Sequence, residues 1–166
     1  MKGFGDLYKD KKKKNKPPIE QIINQAIQLH IKGNISEAKK NYQQIINKGC
    51  NDYRVFSNYG AILRGLGKLK EAEVLTRKAI YINPDLADAH YNLGTILKDL
   101  GKLKEAEIST RKAIEIKPDY ADAYLNLGNI LRDFGKLQEA RLCSEKIMSL
   151  RSWSITGSYS FNYEMI

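Results

Sequence analysis

Residues 87–120 read ADAHYNLGTILKDLGKLKEAEISTRKAIEIKPDY, and the chain repeats this stretch with a period of 34 residues. Shifted back by one period the stretch aligns with residues 53–86, and shifted forward it aligns with residues 121–154. A more divergent copy occupies residues 19–52. Self-similarity at such a period indicates a repeat architecture, in which neighbouring units stack and bury a shared core.

Two recurring signals divide each unit into two helices. A glycine followed four residues later by Glu-Ala recurs in every copy, and these glycines are Gly33, Gly67, Gly101 and Gly135. Such a glycine predicts the left-handed turn that ends the first helix. Pro84 and Pro118 predict the end of the second helix in the two middle units, and Asp85 and Asp119 are predicted to cap the next first helix.

The repeated columns resemble the tetratricopeptide repeat (TPR) family. That family has W-x2-L-G-x2-Y in its first helix, followed by A-x3-F and P in the second. The residues that match this pattern include Leu93-Gly94, Leu127-Gly128, Ala72, Ala106, Ala140, Pro84 and Pro118. The chain departs from it where the Trp column holds Ile22, Phe56, His90 and Tyr124. The resemblance implies an all-α fold, namely a right-handed α-solenoid of four 34-residue helix-turn-helix repeats.

Three segments are expected along the chain. Residues 1–18 form a Lys-rich leader, which carries +5 of the net charge of +9 and is too polar to bury a core. Residues 19–154 form the array, with repeats at 19–52, 53–86, 87–120 and 121–154. Residues 155–166 form a short aromatic tail. This tail is expected either to fold back as an irregular cover over the last repeat or to leave an end that self-associates.

Several function classes find no support in the sequence. No apolar run approaches the length of a membrane span, and the N-terminus lacks the apolar core of a signal peptide. Cys50 and Cys143 lie almost three repeats apart, so the solenoid keeps them from pairing and two free thiols fit a reducing, cytoplasmic location. His30 and His90 occupy different columns, so they form neither a metal pair nor a catalytic dyad. We therefore expect no enzyme activity, no metal and no cofactor.

The resemblance places the candidate site on the first helices, which line a concave groove in TPR arrays. One column there is asparagine in every unit, and its members are Asn24, Asn58, Asn92 and Asn126. A carboxamide both donates and accepts hydrogen bonds, so a ladder of them can bind the backbone of an extended peptide, and it resembles the asparagine ladder of TPR glycosyltransferases. A second, basic column holds His30, Arg64, Lys98 and Arg132, and Tyr91 and Asn129 complete the predicted groove.

These features predict a non-enzymatic scaffold or adaptor that binds an extended protein segment. The basic column favours a segment with acidic residues or a free carboxylate. Three alternatives remain. The chain is a targeting module of a transferase system, shortened relative to TPR transferases; it contacts nucleic acid through the basic leader; or it is a degenerate remnant with a structural role. The leader disfavours nucleic acid, because no aromatic residue lies within its lysine cluster at residues 9–16.

Overall fold

The structure, a computed structural model, describes residues 18–160, with side-chain placements to residue 150. The described chain is entirely helical, with no strand, which confirms the all-α solenoid. Its helices are α1 (Ile19–Ile31), α2 (Ile35–Asn47), α3 (Tyr53–Gly65), α4 (Leu69–Ile82), α5 (Ala87–Asp99), α6 (Leu103–Ile116), α7 (Ala121–Asp133) and α8 (Leu137–Ser160). The predicted leader lies outside the described residues, except for Pro18.

Glycine turns separate the two helices of each repeat. The φ angles of Gly33, Gly67, Gly101 and Gly135 are 78°, 73°, 74° and 74°, in the left-handed region that L side chains rarely adopt. The predicted turns are thereby confirmed. In the first repeat Gly49, with a φ of 77°, ends the second helix one residue before the position that holds Pro84 and Pro118 in the two middle repeats.

The predicted helix caps are wrong in the two middle junctions. The N-cap residues of α5 and α7 are Leu86 and Tyr120, and neither side chain bonds to the helix. Asp85 and Asp119 lie one residue too early, in the turn after proline, so they cannot reach the first free N–H groups. Asp52 is a true cap, because its Oδ1 accepts a hydrogen bond of 2.8 Å from the backbone N–H two residues on.

The pairing of the helices determines which face is concave. Each helix packs against the next along the chain, and the first helices α1, α3, α5 and α7 also contact one another in sequence. Among the described residues, the backbones of no two second helices come as close to each other. The first helices are therefore crowded on the inner, concave side, and the second helices are spread over the outer side.

Glycine in the first helix allows the two helices of a middle repeat to approach closely. A Cβ at Gly94 would overlap Thr110 Oγ1 and would lie 3.2 Å from the backbone oxygen of Ala106. In the second repeat a Cβ at Gly60 would lie 2.5 Å from Thr76 Oγ1. The glycines at this position, Gly60 and Gly94, thus reflect the close packing of the two helix backbones in the middle repeats.

Ion pairs join successive second helices on the outer face. Glu73 accepts hydrogen bonds from Arg77 in its own helix and from Lys102 of the next repeat, at 3.0 and 2.9 Å. Arg77 also donates to Glu105 at 2.7 Å. One period later the same arrangement recurs among Glu107, Arg111, Lys136 and Glu139. Two of these contacts, Glu73–Arg77 and Glu107–Arg111, are (i, i+4) pairs within one second helix.

The last helix does not end where the repeat does. α8 runs for 24 residues to Ser160, six residues beyond the predicted boundary at residue 154. The expected irregular cover is therefore wrong for residues 155–160, while residues 161–166 lie outside the described part. Ser152 and Trp153 stand where the earlier repeats have Pro-Asp, so no proline stops the helix.

Candidate functional site

The concave face contains a cleft of about 490 Å³ between α1, α3, α5 and the start of α7. We call it the tyrosine cleft, and its lining residues are Ile27, Tyr53, Arg54, Ser57, Asn58, Leu86, Asp88, Tyr91, Asn92 and Tyr120. Three repeats contribute to it along the first helices, and a fourth begins at its edge. The cleft has the mixed lining of a peptide site, since apolar and aromatic walls are interrupted by a few polar groups.

Tyrosine side chains form one wall of the cleft. The rings of Tyr91 and Tyr120 lie 5.2 Å apart between centroids, and Lys117 Nζ lies 4.8 Å from the Tyr120 ring centre. Burial raises the pKa of the Tyr120 phenol, and a hydrogen bond to Asp88 raises it further. The phenol of Tyr120 is therefore protonated at physiological pH, and the two tilted rings form an aromatic wall beside the Asp88 carboxylate and the Lys117 ammonium.

Two of the four predicted asparagines face the cleft. Asn58 donates from Nδ2 to the backbone oxygen of Arg54 at 2.8 Å, and its side chain also forms a hydrogen bond with His30. The second N–H of its Nδ2 remains available to an acceptor. Asn92 forms no hydrogen bond with any described residue, so its amide is available to both donors and acceptors.

The other two asparagines are placed differently. Asn24 is exposed on α1, with Nδ2 3.5 Å from Glu20 Oε1. Asn126 is only 6% exposed and donates to Thr110 Oγ1 at 3.2 Å, while Thr110 donates to the backbone oxygen of Ala106 at 2.8 Å. Asn126 thus links α7 to α6 through this hydrogen bond. The predicted ladder of four asparagines is therefore interrupted at its last member.

The basic column is partly neutralised within the protein. Arg64 Nε donates to Asp99 Oδ2 at 3.1 Å, and the Arg132 guanidinium donates to the side-chain oxygen of Asn129. Lys98 has no ion-pair partner among residues 18–150. Burial lowers the pKa of His30 and outweighs the opposing effect of a hydrogen bond with Asn58. The His30 ring therefore stays neutral at pH 7. Lys98 and Arg132 therefore both lack an anionic partner within the described chain, because Asn129 is neutral.

Arg54 belongs to the cleft but was not predicted from the sequence. Its guanidinium donates to Asp52 Oδ2 at 2.7 Å and to Glu20 Oε2 at 2.8 Å. These hydrogen bonds, first to Asp52 and then to Glu20, raise the pKa of Arg54. The charge of Arg54 is therefore balanced, and the tyrosine cleft is not a strongly basic site.

Tyr53, Tyr120 and Leu86 also escaped the sequence reasoning. A signal existed, since Leu86 and Tyr120 occupy the last position of successive repeats and therefore form a column of their own. Both precede a first helix, and both line the cleft.

Other reactive groups are accounted for by packing. His90 donates from Nε2 to the carbonyl of Pro84 at 2.8 Å. Burial raises the pKa of the Cys143 thiol, so Cys143 is protonated at neutral pH. Among the described residues no three His, Cys, Asp or Glu side chains cluster as metal ligands would, and none of the described helices combines the length and apolarity needed to cross a membrane.

Family models described as tetratricopeptide repeat match residues 53–86, 87–120 and 110–142. Together they cover more than half of the chain. The chain belongs to the tetratricopeptide repeat family. As a TPR protein it is a repeat scaffold for protein–protein interaction. No curated protein sequence matches the chain.

Solved TPR structures share the fold. A crystal structure of MamA superposes with a TM-score of 0.76 and 20% identity, covering 83% of this chain and 81% of MamA. YrrB, described as a TPR protein with an unusual peptide-binding site, superposes with a TM-score of 0.71 and 22% identity, covering 81% and 69%. An O-GlcNAc transferase from Thermobaculum terrenum gives 0.64 and 24%, and the match spans 68% of this chain but 22% of the enzyme. At these identities the likeness shows the fold alone.

Proposed function

We propose that this TPR array binds an extended segment of a partner protein in the tyrosine cleft. The observation that carries the proposal is the position of Asn58 and Asn92, one period apart in the same cleft, beside the Tyr91–Tyr120 wall. The free amide of Asn92 and the second N–H of Asn58 Nδ2 supply backbone partners, and the tyrosine wall accepts an apolar side chain.

The segment is bound in an extended conformation, because the cleft crosses several first helices and not one. An extended chain advances about 3.3 Å per residue, so its backbone passes successive asparagines as it follows the groove. An extended chain exposes N–H and C=O groups along its length, and a carboxamide can bond to either. Such hydrogen bonds do not depend on the sequence of the segment, whereas the walls of the cleft discriminate among its side chains.

The groove favours a carboxylate near Lys98. Arg64 is paired with Asp99, and Arg132 lies in a different cleft between α7 and α8. Lys98 lies on α5, which lines the tyrosine cleft, and has no anionic partner in the described chain. A side-chain or C-terminal carboxylate of the bound segment would form a charge-assisted hydrogen bond there. The preference is for one acidic group and not for a polyanion, since Arg54 is already balanced by Asp52 and Glu20.

A selection from a library of random linear peptides, displayed on phage, tests this proposal with the full chain as bait. Selected peptides are then titrated against wild type and the double variant Asn58→Ala/Asn92→Ala. We expect that variant to weaken binding about tenfold or more, because each lost amide removes hydrogen bonds from a peptide backbone. Tyr91→Ala should weaken the same peptides, because it removes half of the aromatic wall.

Tyr81→Ala is the matched control, since Tyr81 is an 87% exposed tyrosine on α4, outside the cleft. Asn126 is not a suitable test residue, because its loss would also unfasten α7 from Thr110. Peptides that bind wild type and both cleft variants equally, or that are lost only with Tyr81→Ala, would refute cleft binding. Lys98→Glu tests the acidic preference, and peptides that are indifferent to it would refute that part alone.

A further inference from the structure

The two ends of the described solenoid differ in chemistry. Ala89, Leu93 and Ile96 form the buried face that α5 turns toward the preceding repeat. Two periods earlier, α1 carries glutamine at all three of these positions, and the glutamines are exposed at Gln21, Gln25 and Gln28. The α1 end is therefore polar where an interior repeat is apolar, so it does not match an apolar neighbour.

The opposite end is a partly apolar cleft of about 500 Å³ between α7 and α8. We call it the terminal cleft, and the lining residues used below are Leu125, Gly128, Leu137, Ala140, Arg141 and Ser144. Leu125 is 56% exposed and Leu137 is 65% exposed. One period earlier, α7 covers the corresponding surface of α6, where Thr110 is fully buried.

The described chain does not cover the terminal cleft itself. An interior repeat ends in a turn, and the next first helix then packs over the preceding two helices. In the last repeat α8 instead continues as one helix to Ser160. The surface that an interior repeat buries is therefore left open to a partner.

The charges at the terminal cleft are reversed relative to the interior repeats. The interior second helices carry Glu and then Arg four residues later, as in Glu73 and Arg77, and these bond to Lys102 and Glu105 of the next repeat. In α8 the order is Arg141 and then Glu145, paired with each other at 3.0 Å and exposed by 75% and 54%. A further repeat of the same kind would therefore meet like charges.

Head-to-tail stacking of two copies is disfavoured for the same reasons. It would place the glutamine face of α1 over the apolar terminal cleft. It would also bring Glu37, which corresponds by period to Glu105, next to Glu145. An open chain of copies is thus opposed by both polarity and charge.

We propose that two copies of this chain associate through their terminal clefts about a two-fold axis, with their α8 helices antiparallel. In this arrangement Arg141 of each copy faces the partner's Glu145, so the reversed pair is complementary to itself. Leu125 and Leu137 of both copies are removed from water at the same contact, and the small residues Gly128, Ala140 and Ser144 allow close approach of the helices. The interface is isologous and closes at two copies.

Sedimentation-velocity and light-scattering measurements of the full chain over a range of concentrations test this proposal. We expect wild type to change from the 18.9 kDa monomer to a species of twice that mass as concentration rises. Leu137→Glu should raise the dissociation constant about tenfold or more, because it places an unpaired charge in the interface. Val74→Glu is the matched control, since Val74 is 66% exposed on α4, away from the terminal cleft.

A charge exchange separates the two-fold arrangement from general stickiness. Arg141→Glu and Glu145→Arg should each weaken the dimer, because each brings like charges together across the axis, while the double exchange should restore it. Circular dichroism confirms that each variant remains helical. A chain that stays monomeric, forms open-ended oligomers, or dimerises equally well with Leu137→Glu would overturn the proposal, as would a double exchange that fails to restore dimerisation.

Discussion

The third and fourth repeats have similar sequences but differ in how tightly they are packed. In the third, Gly94 lies so close to Thr110 that a methyl group would overlap it, and α7 then packs over both helices. In the fourth, a Cβ at Gly128 would meet only Cys143 Cβ at 3.5 Å and the Ala140 oxygen at 3.6 Å. The same glycine column thus has a strict packing role inside the array and a looser one at its end.

Core truncation should give the largest contrast between the two repeats. Ile96→Ala removes three carbons from a side chain with no solvent exposure, so we expect a loss of about 2–5 kcal/mol in the free energy of unfolding. Leu137→Ala, at an exposed position of the fourth repeat, should change it by less than about 0.5 kcal/mol at concentrations where the chain is monomeric. Urea denaturation followed by circular dichroism measures both, and equal losses would contradict the difference in burial.

Alanine in place of Gly94 and of Gly128 should have different effects on the free energy of unfolding. Gly94→Ala should cost about 1–3 kcal/mol, since Thr110 and the backbone of α6 must move to admit the methyl group. Gly128→Ala should be neutral or stabilise by about 0.5–1 kcal/mol, because alanine favours helix and finds ordinary contact distances. The midpoints of urea denaturation of the two variants measure these effects. A loss of stability in both variants would mean that the fourth repeat is as tightly packed as the third.

Thr110 and Thr76 allow a second comparison, between two buried threonines of the middle repeats. Thr110→Val should cost about 1–3 kcal/mol, because it leaves the buried amide of Asn126 without its acceptor. Thr76→Val should be neutral or stabilising, since Thr76 Oγ1 is buried with no hydrogen-bond partner within the described chain. The two isosteric changes are compared by thermal unfolding, with Asn126→Ala as a check that the Thr110 effect runs through that amide.

The smallest effect is expected for the inter-repeat ion pairs, as a change in pH dependence. The Lys102 ammonium holds the pKa of Glu73 below its usual value of 4.5, with burial opposing and Arg77 assisting. A lowered pKa stabilises the folded chain above the unfolded value, and that stability is lost as pH falls through the folded pKa. Glu73→Gln should therefore flatten the loss of stability below about pH 4.5. Glu139→Gln, at the exposed end of the second network, provides the comparison, and identical pH profiles for wild type and Glu73→Gln would contradict the assignment.

Much of the fold followed from periodicity, and less of the site did. The glycine turns were predictable, because a left-handed turn restricts the residue type at one position. The caps at Asp85 and Asp119 were mispredicted, since a shift of one residue in a helix start decides whether a carboxylate reaches a free N–H. In the site, Asn58 and Asn92 line the tyrosine cleft and Asn126 is bonded to Thr110 instead, and sequence reasoning could not separate the three.

The 34-residue period by itself determined the order of helices, and the resemblance of the repeated columns to the TPR pattern indicated the family and the side of each repeat on which the groove lies. Those properties depend on local conformation and on spacing, which are written into each repeat. Only the tertiary structure decided that Asn126 turns toward Thr110, that Arg54 is balanced by Glu20 from the preceding repeat, and that α8 continues past its repeat. Side chains in one column share a position but not a neighbour, and the neighbour determines whether an amide is buried, paired or free to bind.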